Sequence, residues 1–232
     1  MGVKIKPFFL LFLLFPFYQL SALEVSGDAE TQLKGEYNRG SYNNGEVSLV
    51  GKVMLDNFIS FKTGFSYGQN TYTAEISAFF KTEVSPFKKE YISPLSFSLS
   101  YIFNGIIEYD VGTHSIFPSI SYKTDRFGAT IGTSFRLTSF FGESPQFESI
   151  ISFYVFFNFI KNDFLVMGVG CGTFNDFDAR NMGAIWLDLN ADIRINKMVT
   201  ILNELVLMQS GIDGMTTAFY GISYKGGVRL SW

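Results

Sequence analysis

From Leu23 to Trp232 one pattern recurs: apolar and polar residues alternate with period two, in runs long enough to cross a bilayer. Successive side chains on a strand point to opposite faces, so each run is a strand with one oily side and one wet side. The terminal AFYGISYKGGVRLSW shows it most plainly. Tyr220, Ile222, Tyr224, Val228, Leu230 and Trp232 share one parity, while Ser223, Lys225, Arg229 and Ser231 share the other. Ordinary strands run to about 5 or 6 residues. A membrane-crossing strand needs about 9 to 11, apolar on the lipid side.

The same reading applied along the chain gives twelve strands, or ten or fourteen if a boundary near Asn70 or Pro94 shifts. Short polar turns are predicted at Asp56-Asn57, Asp125-Arg126, Lys161-Asn162-Asp163 and Asn196-Lys197. Longer loops are predicted after the first, seventh, ninth and eleventh strands. The fifth strand is read from Leu95 to Tyr109, with serines on one parity that a buried core does not readily explain. The expected fold is all-β: a transmembrane, antiparallel, up-and-down β-barrel. In hydrocarbon every backbone amide must be paired within the protein, so such a sheet has to close on itself. A secreted β-sandwich also alternates strands and turns. Long strands, 18% aromatic residues and no possible internal disulfide argue against it.

The first residues, MGVKIKPFFLLFLLFPFYQLSA, have lysines, then a short apolar run, then small residues. That order is a cleavable signal peptide, here 1–22, which leaves a single barrel domain over 23–232. The apolar run is too short for a membrane helix and contains Pro16. A formal net charge of -3 gives no sign of a nucleic-acid partner. Charged residues are 17% of the chain against a usual share of about 25%, so much of the surface faces something other than water.

These features resemble the outer-membrane β-barrel proteins of Gram-negative bacteria, over Leu23 to Trp232. Tyr224, Val228, Leu230 and Trp232 match the alternating aromatic-ended signal by which such barrels meet the barrel-assembly machinery, with Trp where Phe is more usual. The resemblance implies the outer membrane, with its lipid as one partner and both chain ends on the periplasmic side. The twelve-stranded oligosaccharide-specific channels are similar in length. The outer membrane protein W and fatty-acid transporter families are looser comparisons.

The wet parity carries the candidate site. Glu75, Glu108, Asp110, Arg136, Asp188, Asp192 and Arg194 are expected to line the lumen, where facing charges of opposite sign would orient polar solutes. Glu24, Asp28 and Glu30 on the first strand are expected to meet Lys225 and Arg229 on the last, forming a closure seam. Ile150, Tyr154, Phe156, Leu165, Met167 and Val169 fall on the parity read as lumenal and suggest an apolar wall.

Chemistry finds little support. The single histidine, His114, is adjacent to Ser115, and strand neighbours face opposite ways, so the two cannot share a lumenal site. Gly168, Gly170 and Gly172 precede no helical pattern and so make no phosphate loop; Cys171 reads as a wall residue. No enzyme, cofactor or metal is expected. The expected function is a channel for passive diffusion of small solutes through a narrow charged lumen. The alternatives are a channel for hydrophobic substrates such as fatty acids, and a structural or adhesive surface barrel with a plugged lumen.

Overall fold

The computed structural model describes residues 25–38, 43–55, 58–69, 73–85, 94–140, 142, 144–173, 185–209 and 219–232. Residues 1–24, which contain the predicted leader and Glu24, lie outside them.

Alternating sequence becomes alternating wall. Twelve strands follow in order: β1 (Val25–Asn38), β2 (Asn43–Leu55), β3 (Ile59–Gln69), β4 (Ala74–Val84), β5 (Leu95–Ile106) and β6 (Val111–Lys123) form one half. β7 (Phe127–Ser139), β8 (Gln146–Lys161), β9 (Leu165–Gly172), β10 (Trp186–Arg194), β11 (Val199–Gln209) and β12 (Phe219–Ser231) form the other. Each strand pairs antiparallel with the next, and β12 pairs with β1 to close the barrel. That last register runs from Asp28 opposite Ser231 to Asn38 opposite Gly221. Closure satisfies the backbone groups that an open edge would leave facing lipid.

The outer face is apolar. On β5, Leu95, Phe97, Leu99 and Tyr101 are exposed, while Ser96, Ser98, Ser100, Ile102 and Asn104 between them are buried. Leu49 on β2, Phe65 on β3, Ile116 and Ile120 on β6 and Leu189 on β10 continue that outward surface. A soluble protein rarely shows so continuous an apolar surface, and a bilayer is the solvent that suits it.

Short connections at Thr124–Arg126, Asn162–Phe164 and Ile195–Met198 lie at the end that also carries Val25 and Trp232. Asn162 and Asn196 each accept two backbone N–H groups through the side-chain oxygen, which closes those turns without a partner strand. The fifth strand is shorter than the alternation predicts. It stops at Ile106, and Ile107–Asp110 form a turn in which Asp110 takes a positive φ of 48°. Aspartate tolerates that left-handed conformation better than most residues.

The interior is layered. The inward serines of β5–β8 are almost wholly enclosed and bond to one another: Ser98 with Ser119 at 2.6 Å, Ser115 with Ser134 at 2.5 Å, and Ser121 with Thr130 at 2.8 Å. Much of the serine parity is therefore an enclosed face of paired hydroxyls, with Ser100 Oγ left without a partner. At mid-height Phe79, Ile102 and Phe117 pack together at 0–2% exposure, with Val50 and Ile150 against them. A side chain aimed into a barrel can be enclosed that completely only where the lumen at its level is filled.

Candidate functional site: the charged half of the lumen

Register decides which predicted residues share the interior. Glu75 on β4, Arg136 on β7, and Asp188, Asp192 and Arg194 on β10 all occupy the inward parity. Glu108 and Asp110 do not. They sit in the exposed turn after β5, where Glu108 Oε2 accepts the backbone N–H of Ala74 at 2.8 Å and caps the end of β4. The alternation of β5 simply runs out before these acids.

The seam is real at one pair and rearranged at another. Arg229 lies directly opposite Glu30, with Nε donating to Oε2 at 3.0 Å. The same guanidinium reaches Asp192 Oδ2 at 3.5 Å, so it bridges β1 and β10 across β11. Asp28 faces Lys52 on β2 and Ser231 on β12. Lys225 turns away from the acidic first strand. It lies opposite Glu204 on β11 and pairs with it at 2.9 Å. A neighbouring carboxylate on the adjacent strand outcompetes one that the register does not bring opposite.

Two acids, Glu148 and Glu83, escaped the sequence reading. Glu148 on β8 lies opposite Arg136 and pairs with it. Glu83 on β4 accepts Ser96 Oγ at 2.8 Å and Lys123 Nζ at 3.1 Å, with Lys81 at 3.7 Å. Lys52, Lys62 and Lys81 stand in one register row on β2, β3 and β4. Like charges directly opposite destabilise a sheet; Lys62 is partly compensated by the ring of Phe79, 5.4 Å from its Nζ. β3 and β9 stand on opposite sides of the closed ring, with five strands between them in either direction.

Water reaches this interior unevenly. The side chains of Arg229, Asp192 and Glu204 keep 35%, 28% and 27% of their exposure, whereas inward residues of β5–β7 such as Ser121 and Ser134 keep none. The accessible part is therefore the ionic cluster around Arg229 on β10, β11, β12 and β1, while Asp188, Leu202, Val206 and Ser223 on the same strands are buried.

The apolar wall divides in two. Ile150, Tyr154 and Phe156 do face inward, but Leu165, Met167 and Val169 point outward, because β9 pairs Gly168, Gly170 and Gly172 with the inward residues of β8 and β10. Glycine carries no polarity signal, so the parity of β9 was readable only from its neighbours. Cys171 is a free thiol on the outward parity. His114 also faces outward, where its Nδ1 lies 2.7 Å from Tyr101 Oη and its ring 5.1 Å from that of Phe103; Ser115 faces the interior. Tyr224, Val228, Leu230 and Trp232 are exposed on the outer face.

No family model matches this sequence, and no curated protein matches it. Solved structures do. The NanC porin superposes with a TM-score of 0.58 at 10% identity, over 86% of this chain and 98% of that one. The KdgM porin in complex with disordered oligogalacturonate gives 0.53 at 10% identity, over 88% and 99%. An outer membrane channel from Pseudomonas putida F1 gives 0.52 at 8% identity, over 90% and 95%. The fold is that of the outer-membrane porins. At such identities the likeness is one of fold alone. The lumen chemistry has to be read from this chain's own residues.

Proposed function

We propose that this protein is an outer-membrane channel through which small polar solutes diffuse passively along a narrow, charged route. The observation that carries the reading is the accessible ionic cluster, where Glu30, Arg229, Asp192, Glu204 and Lys225 face a lumen whose other half is packed. Charged linings are expensive to enclose and serve a purpose where hydrated solutes pass. On this reading residues 1–22 are the export signal, the end carrying Val25 and Trp232 is periplasmic, and the outer-face residues ending in Trp232 engage the assembly machinery. Single-channel recording of the refolded protein is the test. Discrete conductance steps are expected, and a silent bilayer at saturating protein would overturn the channel.

One observation favours a second reading, a structural barrel with a plugged lumen: the enclosed layer of Phe79, Ile102 and Phe117. That barrel would be silent in the same recordings. Fatty-acid passage has lost part of its basis, since Leu165, Met167 and Val169 face outward.

A further inference from the structure

The inner wall of β8–β10 has a composition the ionic cluster does not share. The inward positions of β9 are three glycines, Gly168, Gly170 and Gly172, so the centre of this wall is bare backbone. Side chains from both neighbouring strands lean over it. A Cβ added to Gly170 would fall 2.5 Å from Tyr154 Oη and 2.8 Å from Asp188 Oδ1, and one added to Gly168 would fall 3.0 Å from Asn190 Oδ1 and against Asn158 Oδ1. The glycines are thus required by the groups above them.

Two of those groups present buried acceptor oxygens. Asp188 is 4% exposed and accepts the Tyr154 hydroxyl at 3.2 Å and the backbone N–H of Gly170; Lys225 acts on it from a distance, and among the described residues it forms no ion pair. Asn190 Oδ1 is buried and accepts no hydrogen bond. A buried carboxylate without a cation and a buried carbonyl without a donor are both costly. The other acids nearby are already matched, Asp192 by Arg229 and Glu204 by Lys225. Beside the acceptors stands an aromatic row: Tyr154 stacks on Trp186 at 5.1 Å and on Phe156 at 6.0 Å.

We propose that Tyr154, Trp186, Asp188 and Asn190 form a recognition subsite for the primary ammonium group of a small organic amine. The ammonium supplies the contacting positive charge that Asp188 lacks and a donor for Asn190 Oδ1, and its hydrocarbon body lies against the aromatic faces. This deepens the channel reading and rests on it for the ligand's route, while the site itself is testable alone.

The chain has two tryptophans, so a Trp232→Phe variant leaves Trp186 as the only indole reporter. Titration of that folded protein in detergent with benzylamine should give a saturable fluorescence change at neutral pH. Benzyl alcohol, the same shape without the charge, should give none. Asp188→Asn in the same background should weaken the amine at least about tenfold, the scale of a lost charge-assisted hydrogen bond. Should that variant lose the compact gel band, Gly170→Ala serves instead, since its methyl group displaces Tyr154 or Asp188 and should weaken the amine similarly. Equal responses to amine and alcohol, or an Asp188→Asn titration that matches its parent, would overturn the subsite. Conductance separates the two proposals: a silent protein that binds benzylamine sinks the channel alone, and a conducting protein that ignores it sinks the subsite alone.

Discussion

Gly27 and Trp232 exchange two backbone hydrogen bonds, at 3.1 and 3.0 Å, and the indole of Trp232 lies across the glycine. A Cβ on Gly27 would stand 2.5 Å from Cζ2 and 2.7 Å from Cε2 of that ring. The pair extends the closing register of β1 and β12 by one step, and the aromatic cover needs a residue with no side chain beneath it. Gly27→Val should therefore displace the indole and cost about 1–3 kcal/mol, the usual scale of an overpacked contact. Urea unfolding of the refolded protein, followed by tryptophan emission, would show the lower midpoint; an unchanged midpoint would mean the ring has other places to rest.

Removal of Trp232 tests a separate role. The truncated chain should insert into vesicles more slowly and leave more of the heat-unshifted band on a gel, whereas any correctly closed fraction should behave like the parent. Equal insertion rates in the presence of the assembly machinery would dismiss the assembly signal.

Arg229 holds three strands through Glu30 and Asp192, and its side chain is 35% exposed. Partial solvation discounts the loss, so Arg229→Met is expected to cost about 1–2 kcal/mol, below the value for a fully buried pair. A double-mutant cycle with Glu30→Gln isolates the coupling, and a coupling near zero would show that the bridge contributes nothing.

The hydroxyl pair Ser115 and Ser134, both at 0–1% exposure, makes a non-additive prediction. Ser115→Ala strands the partner hydroxyl and should cost about 1–3 kcal/mol, while Ser115→Ala with Ser134→Ala together should cost less than the sum. Denaturant unfolding of the four proteins checks this; additive losses would mean the hydroxyls find other partners.

Phe117 joins the layer that fills the lumen at mid-height. Phe117→Ala should destabilise the barrel by about 3–5 kcal/mol and raise single-channel conductance by emptying that level. Conductance unchanged in a folded variant would place the solute route clear of the layer.

Much of this was legible before any coordinates, for a physical reason. A barrel strand writes its two faces into alternate residues, so twelve strands, with ten or fourteen as alternatives, could be read from period two. Strand length, aromatic content and the need to pair every backbone amide in lipid argued for closure. First and last strands must meet, so acids of β1 were expected to face Lys225 and Arg229 as a group; the register is what selects Glu30 for Arg229. Register is where the sequence falls silent. It sends Lys225 to Glu204 and sets Glu148 against Arg136, and nothing local to those residues announces it. Glu108 and Asp110 kept the parity of a strand that had already turned. Serine misled in another way: its hydroxyl reads as wet, yet in opposed pairs it satisfies itself and can line a dry wall. Phe79, Ile102 and Phe117 interrupt polar parities in the sequence and escaped the sequence reading; only the structure shows them packed together.

The bridge from Arg229 also has a history in time. Glu30 and Arg229 are separated by 199 positions along the chain, so their contact is among the last that a growing sheet can make. The guanidinium that joins them also needs Asp192, which only the already zipped hairpins of β10 to β12 bring within reach. Closure then waits on the far strands being in place, and a half-built sheet has no premature latch to fasten.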